Sequence, residues 1–372
     1  MNTEKSNEEL NQLLKMAGVS KTIYSLVMPE TEDAFSDVVD GKFSLGKDDA
    51  TSRDVFFSLF REGWTQKQDV LHESFFFHWR KWTEKVVRGD WEQFPYRYPT
   101  AGASEGLRDL ISSYGNRARV EGFVPQIRVF TGEYEGYAAY ARANYIPIFF
   151  HARGDWGKMI DATEETDQVY LSNPSAIDGN VWDDFELFAR ELYRLKPKAE
   201  IILDLTYVGC VGRDFSIPIS SPNIKSVVFS LSKPLGAYYH RIGGCFSRVE
   251  SLGLFGNKWF KNITSLALGE AMMRLYDVQF LPRKYAEFQK KAIGEFSKKA
   301  GFRLDPCDVF LLGAAKMPKN PTPLQEYLFR DNGEGGLVRA CLTPTMAGLV
   351  DPRLNTEVRA RSHEGRIGPC KM

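Results

Sequence analysis

The chain has 372 residues, 43% hydrophobic and 26% charged, which is the composition of a globular protein with a sizeable core rather than of a disordered one. Lysine plus arginine and aspartate plus glutamate both number 48, and this zero net charge argues against a general nucleic-acid or anionic-membrane surface. The five cysteines show neither a disulfide framework nor a CxxC zinc pattern, and the polar N-terminus has no apolar signal core, so we expect a reduced, soluble cytoplasmic protein without a membrane span or a metal.

The N-terminal part of the chain is predicted to be helical. Periodic leucines predict an amphipathic helix over 7–27, and 41–50 has the composition of a loop. A second helix is predicted over 69–87. It contains the aromatic residues Phe75, Phe76, Phe77, Trp79 and Trp82. We expect this crowding to reflect core packing or a subunit contact, and a substrate-binding wall is the less favoured alternative.

Short apolar runs alternate with helical periodicity between about residues 100 and 250. The runs predict strands over 127–130, 146–150, 168–171, 200–204 and 225–230. Such alternation is typical of a mostly parallel sheet covered on both faces by helices. Helices are predicted to dominate from 259 to 300, and a late strand carries Arg339 in an apolar setting.

Small residues precede the helix that is predicted to begin near Ser104. Ala101, Gly102, Ala103 and Ser104 form a loop that feeds this helix. Free backbone N–H groups and the positive end of the helix dipole make such a position a ready anion site. The alternative is that Ser104 only caps the helix.

Polar side chains follow the ends of two predicted strands. Asn173 comes after the strand over 168–171, in the turn Ser172-Asn-Pro, and Asp204 ends the strand over 200–204 with Tyr207 close behind it. Ligands of open α/β sheets bind at the carboxyl ends of the strands. Asn-Pro by itself is only a turn signal.

The segment from Phe229 to Ser247 carries most of the chemistry. The strand over 225–230 ends in Ser230-Leu-Ser232-Lys233, and Arg241 follows eight positions after Lys233. A lysine amine there can condense with an aldehyde, and the serines and the arginine can hold a phosphate dianion. An ordinary surface loop with an exposed lysine and arginine is the alternative.

Taken together, these segments resemble class I/II aminotransferases of the fold-type I pyridoxal-phosphate (PLP) enzymes. Gly-Ala-Ser-Glu-Gly-Leu is similar to the family's phosphate-binding loop, Tyr134 matches the first aromatic of its Pro-x-Tyr-x-x-Tyr, and Asp-x-x-Tyr and Ser-x-Ser-Lys follow in the family's order. Two departures stand out. The family's N-terminal Tyr-x-Pro-x-x-Gly has no clear match in 50–90, and only the first Asn-Pro of its Asn-Pro-x-Asn-Pro-x-Gly turn is kept.

The resemblance implies an α/β fold with a mostly parallel mixed sheet between helices and a smaller α+β domain built from the two chain ends. The expected division is an N-terminal segment with part of the small domain over 1–65, a large PLP-binding domain over 66–275 and a C-terminal small domain over 276–372.

The resemblance also assigns the site. Catalytic roles fall to Lys233, Asp204 and Tyr207, and substrate binding falls to Arg339 and Asn173. The cofactor-binding residues it implies are Gly102, Ala103, Ser104, Tyr134, Asn173, Asp204, Tyr207, Ser230, Ser232, Lys233 and Arg241.

The function implied is an aminotransferase of amino acid metabolism that moves the amino group of an α-amino acid to a 2-oxo acid through a Schiff base of Lys233 with PLP. A PLP-dependent lyase or another enzyme acting at Cα, Cβ or Cγ is the alternative, since fold does not settle reaction type. A non-catalytic regulator is less favoured because no added DNA-binding domain is found. We expect a homodimer, small-molecule partners, and neither nucleic acid nor membrane.

Overall fold

The computed structural model describes residues 12–42, 70–259 and 262–352 of the chain. The helices bounded within these residues are α1 (Pro29–Val39), α2 (Val70–Thr83), α3 (Ala103–Glu121), α4 (Glu135–Ala143), α5 (Trp156–Ala162), α6 (Phe185–Leu195), α7 (Ile263–Leu275), α8 (Phe280–Ala300), α9 (Pro323–Tyr327) and α10 (Thr343–Val350). The strands are β1 (Val87–Arg88), β2 (Tyr96–Thr100), β3 (Ile127–Phe130), β4 (Ile148–His151), β5 (Gln168–Ser172), β6 (Glu200–Asp204), β7 (Ile217–Pro218), β8 (Ile224–Ser230), β9 (Gly243–Ser247), β10 (Asp305–Pro306), β11 (Leu312–Lys316), β12 (Phe329–Arg330) and β13 (Leu337–Cys341).

A seven-stranded sheet in the order β2-β9-β8-β6-β5-β3-β4 forms the centre of the molecule. The neighbours from β8 to β4 are parallel, whereas β9 runs antiparallel to both of its neighbours. Successive residues of β6 pack into different cores, with Ile201 and Leu203 in one and Ile202 in the other. Burial of both faces explains why these strands are continuous apolar runs. The predicted fold class is confirmed.

An aromatic cluster lies between α2 and the sheet. Trp79 stacks on Phe229 of β8 with ring centroids 4.3 Å apart, and Phe76 meets Phe246 of β9 edge-on at 5.0 Å. Phe75 is also fully buried there. The structure thus supports the core-packing interpretation of the aromatic-rich helix. The cluster underlies β8, the strand that leads to Lys233.

A second, four-stranded antiparallel sheet in the order β10-β11-β13-β12 comes from the C-terminal part of the chain. The N-terminal part joins it, because Ser20 forms an antiparallel bridge with Cys341 of β13. The division at 275/276 coincides with the end of α7, and the division at 65/66 lies outside the described residues. The domain boundaries stay a prediction.

The prediction of a helix over 7–27 is wrong beyond Ala17. Residues 12–17 are helical, Gly18 then adopts a left-handed conformation with φ 69°, and the chain continues extended to pair with β13. A glycine at such a position ends a helix readily because it has no Cβ to strain. Residues 7–11 lie outside the described part of the chain.

Two other helix boundaries differ from prediction. The second helix ends at Thr83 because Val87 pairs with Ile217 as part of β1. A helix is predicted from the sequence over 181–195, but α6 begins only at Phe185. The residues from 173 onward form a turn closed by the bond from the Ser175 N–H to the Asn180 carbonyl. No helix among the described residues combines the length and the apolar character that a membrane span requires.

Because of the aromatic cluster, we expect substitutions at two neighbouring positions of α2 to differ sharply in their effect on the free energy of unfolding. Phe76→Ala should lower the free energy of unfolding by about 3–5 kcal/mol, because it leaves a cavity among buried rings. Phe77→Ala should cost less than about 1 kcal/mol, because that side chain is 50% exposed. Guanidinium denaturation of both variants measures the difference. Equal losses would contradict the described packing.

Candidate active site

A cavity of about 530 Å³ opens at the carboxyl edge of the central sheet, beside the small sheet. It meets the chain at the ends of β6 and β8 and just after β3 and β5, the edge where open α/β sheets bind ligands. The residues that line it are Lys21, Thr22, Ile23, Tyr24, Ala103, Ser104, Leu107, Tyr134, Glu135, Ala176, Asp204, Thr206, Tyr207, Ser230, Ser232, Lys233, Tyr238, Arg241, Arg330 and Arg339. All the predicted site residues are among them except Gly102 and Asn173.

Hydrogen-bond donors converge at the start of α3. Gly102 has a φ of 93°, and a Cβ there would lie 3.2 Å from the Arg241 guanidinium and 3.5 Å from the Ser230 hydroxyl. The Ser232 hydroxyl is buried and has no hydrogen-bond partner among the described residues. A cradle of backbone N–H groups, hydroxyls and a guanidinium fits a phosphate group.

Lys233 is part of the cavity lining. Its Nζ donates a hydrogen bond to the backbone carbonyl of Ile23 in the N-terminal segment. Burial lowers the pKa of the Lys233 ammonium, and the nearby Arg241 guanidinium lowers it further. A lowered pKa increases the fraction of the neutral amine, which is the nucleophilic form.

Asp204 presents a buried carboxylate at the end of β6. It accepts hydrogen bonds from the Thr206 N–H at 2.9 Å, from the Thr206 hydroxyl at 2.5 Å and from the Tyr137 hydroxyl at 3.2 Å. Burial raises the pKa of Asp204, and these three donors oppose the rise because they stabilise the charged form. Tyr207 lies nearby, and burial raises the pKa of its phenol well above the usual range.

Tyr134 forms part of the cavity wall between Asp204 and the start of α3. Its hydroxyl lies 3.1 Å from the Ser104 hydroxyl, and its ring meets Tyr137 edge-on at 5.6 Å. Burial raises the pKa of Tyr134 to about 12, so the phenol keeps its proton at neutral pH. These contacts fix the ring as an aromatic surface of the cavity.

Arg339 extends from β13 into the same cavity. One of its terminal nitrogens donates to the carbonyl of Ala176, and its buried Nε has no hydrogen-bond partner among the described residues. Burial lowers the pKa of Arg339 to about 10, and the charge of Arg330 lowers it as well. A buried guanidinium with an unused N–H favours an anionic ligand.

Asn173 is not brought to the cavity. Its amide exchanges two hydrogen bonds with the backbone of Trp182, at 3.0 and 3.3 Å, and is buried in the turn after β5. Ala176, three positions later, lines the cavity instead. Ala176 occupies the place of the second asparagine in the Asn-Pro-x-Asn-Pro-x-Gly pattern, so this wall offers no side-chain amide.

Arg330 is a cavity residue that the sequence analysis did not identify. Its guanidinium donates to the carbonyls of Gly132 and Glu133, both at 2.7 Å, and to the carboxylate of Glu135. β12 of the small sheet is therefore fastened to the loop after β3. The arginine stands in a two-residue strand, where no periodicity could have marked it as buried.

Glu133 and Tyr137 lie behind the cavity lining and hydrogen-bond to residues in or near it. They were also not identified from the sequence. Glu133 accepts hydrogen bonds from the N–H and the hydroxyl of Ser172, at 3.0 and 2.6 Å. Burial raises the pKa of Glu133 to about 7, and the charge of Asp204 contributes to the rise. The signals were present in the sequence, since Glu133 follows a buried strand and Tyr137 lies one helical turn after Tyr134.

Comparison with known proteins identifies the fold. Neither a protein-family model nor a curated protein matches the chain by sequence. Among solved structures, a methionine aminotransferase from Escherichia coli, YbdL, is similar with a TM-score of 0.61 and 14% identity over 94% of this chain and 96% of that one. A PLP-bound C-S lyase from Staphylococcus hominis gives 0.62 and 14% over 91% of both chains.

An aspartate aminotransferase from Thermus thermophilus, a double mutant, gives a TM-score of 0.60 and 14% identity over 97% of this chain and 96% of that one. Such low identities speak to the fold alone. The chain has the fold of the class I/II aminotransferases, and the C-S lyase shares this fold.

Glu133 makes the stability of the fold depend on pH. In the folded chain its carboxyl keeps its proton up to a pH of about 7, whereas its usual pKa is 4.5. Its contribution to stability is therefore fully present below the usual pKa and is lost as the pH rises through 7, by up to ~3 kcal/mol. Glu133→Gln should remove this loss from urea denaturation curves measured across that pH range.

Glu121→Gln, at an exposed position of α3, is the matched control and should keep the pH dependence of the unchanged chain. Identical pH dependence in Glu133→Gln and in the unchanged chain would show that Glu133 does not hold the extra proton.

Proposed function

We propose that the protein is a PLP-dependent aminotransferase that transfers the amino group of an α-amino acid to a 2-oxo acid. The observation that carries the proposal is the convergence of Lys233, Asp204, Arg241 and Arg339 on one cavity. Two of the buried donors in this cavity, the Ser232 hydroxyl and the Arg339 Nε, have no partner among the described residues, so the cavity fits a ligand with anionic groups.

The cofactor has a natural place in this arrangement. The start of α3 with Ser230, Ser232 and Arg241 would hold its phosphate, and Asp204 would accept a hydrogen bond from its ring nitrogen. When bound, PLP supplies an aldehyde for the amine of Lys233 and a ring that draws electrons from the substrate's Cα. Asp204 would strengthen that withdrawal, because a buried carboxylate beside the ring nitrogen would keep this nitrogen protonated.

The chain's own residues would then bind and orient the substrate and move a proton. Arg339 would hold the α-carboxylate with a forked pair of hydrogen bonds, which fixes the direction of the bond from Cα to hydrogen. The Lys233 amine, with its lowered pKa, would take that proton and return it to a neighbouring atom. The phenol of Tyr207 and the ring of Tyr134 would limit movement of the bound cofactor.

A PLP-dependent lyase is the second candidate, because a C-S lyase shares the fold. Arg339 would hold the substrate's α-carboxylate, and this contact disfavours decarboxylation. It does not distinguish amino transfer from elimination, because the substrate keeps its carboxylate in both reactions. The products separate these two reactions: amino transfer gives a 2-oxo acid and keeps the nitrogen on the cofactor, whereas elimination releases ammonia.

A homodimer is proposed on the basis of the fold. Sedimentation at micromolar concentration should give about twice the chain mass of 42.3 kDa. A monomer with full turnover would contradict this part of the proposal.

Covalent attachment of the cofactor should occur at Lys233 alone. Borohydride reduction of the PLP-loaded chain followed by peptide mapping should find the label on Lys233, because this partly buried side chain lines the cavity and its amine has a lowered pKa. Lys225 is the internal control, since it lies near the opposite end of the same strand. Label on another lysine, or no label on a PLP-loaded chain, would remove the assignment.

Arg339→Lys should weaken binding of amino acids by roughly 10- to 100-fold, because the lysine keeps the charge but loses the forked hydrogen bonds. Binding of PLP should not change. Simple amines lack the carboxylate and should lose much less, and titration of the PLP-loaded variant with matched amine and amino acid pairs measures the difference. Equal losses for both would show that Arg339 is only structural.

A further inference from the structure

The ring of Tyr238 lies close to both of the cations that the proposed function assigns to the cofactor, Lys233 and Arg241. Tyr238 begins a short 3-10 turn, Tyr238–His240, that separates the lysine loop from Arg241. Its side chain lines the cavity, and its ring centroid lies 5.8 Å from the Lys233 ammonium and 5.6 Å from the central carbon of the Arg241 guanidinium. Both cations are within the range of a cation–π contact.

The backbone at this point is arranged to keep the turn in place. Arg241 has a φ of 51°, in the left-handed region that non-glycine residues rarely adopt. The Ser265 hydroxyl donates to the His240 carbonyl at 2.6 Å, and the His240 ring lies against Phe35 with centroids 4.7 Å apart. A strained residue held by such contacts directs the phenol and the guanidinium toward the same cavity.

The charges around Tyr238 have no oppositely charged partner within residues 12–42, 70–259 and 262–352. Neither Lys233 nor Arg241 has an ion-pair partner among the residues that the structure describes, and the Tyr238 hydroxyl has no hydrogen-bond partner there either. The Ser232 hydroxyl close by is likewise unpartnered. Unused donors beside two cations are suited to an anion with several acceptor oxygens.

We propose that Tyr238 is a phosphate-binding residue, with its phenol hydroxyl donating a hydrogen bond to the cofactor's phosphate beside Arg241. This rests on the proposed function and extends it, because none of the sequence motifs includes this tyrosine. A hydroxyl bond to a phosphate dianion, formed in a site partly closed to water, is stronger than a bond between neutral groups. Its removal should weaken PLP binding by roughly 10- to 100-fold.

A purely packing role for Tyr238 makes a different prediction. If only its ring matters, through contact with the two cations, Tyr238→Phe keeps that ring and should bind PLP as the unchanged chain does. The neighbouring Tyr239 is the matched control. It is 83% exposed, is not part of the cavity lining and contacts the Tyr238 ring edge-on at 5.4 Å.

The experiment titrates the cofactor-free full chain with PLP and with pyridoxal, which has the same ring and aldehyde but no phosphate, and follows absorbance and protein fluorescence. Tyr238→Phe should raise the dissociation constant for PLP by roughly 10- to 100-fold and leave that for pyridoxal nearly unchanged. Tyr239→Phe should change neither. Normal pyridoxal binding by Tyr238→Phe also shows that the variant is folded.

Unchanged PLP affinity in Tyr238→Phe, or equal weakening for PLP and pyridoxal, would overturn the assignment and leave the proposed function intact. Failure of the unchanged chain to take up PLP would instead overturn the proposed function, and the role of Tyr238 with it.

Discussion

The cost of burying charge at the carboxyl edge of the central sheet is the constraint on which this structure depends. Asp204 and Arg339 are buried and Lys233 is partly buried. Burial raises the pKa of Asp204 and lowers the pKa values of Lys233 and Arg339, so in each case it favours the neutral form. Within the described residues no opposite charge pairs with either Lys233 or Arg339, and their hydrogen bonds go to backbone carbonyls. Buried charges without a partner destabilise a protein core. They are common in binding sites, where the ligand supplies the opposite charge.

The rest of the fold keeps these charges where they are. β6 and β8 are adjacent and parallel, so Asp204 and the loop carrying Lys233 emerge at the same edge. The aromatic cluster beneath Phe229 anchors β8 from one side. Arg330 fastens the small sheet to the loop after β3, which sets the distance from Arg339 to the central sheet. Rigid positioning of this kind would favour the proposed reaction by orienting the reacting groups.

The sequence predicted much of this because the buried strands are continuous apolar runs with polar residues at their ends. The strands over 127–130 and 200–204 agree with the structure to the residue. What failed depends on contacts that residue periodicity does not show: the segment after Gly18 pairs with the distant Cys341, and the amide of Asn173 is bonded to the backbone of Trp182, nine positions later. Neither pairing leaves a local pattern. Arg330 was missed for the same reason, because its hydrogen-bond partners lie in the loop after β3. Glu133 and Tyr137, in contrast, could have been identified from the buried strand before them and from the spacing to Tyr134.

The proposed transfer of an amino group with PLP in this cavity can be tested directly. A single half-reaction tests it: the PLP-loaded chain is mixed with each amino acid in turn, without any 2-oxo acid, and all products are identified by mass spectrometry. We expect at least one amino acid to yield its 2-oxo acid, up to one equivalent per chain, with the cofactor recovered as pyridoxamine phosphate. Release of ammonia over many turnovers, with the cofactor recovered as PLP, would contradict it.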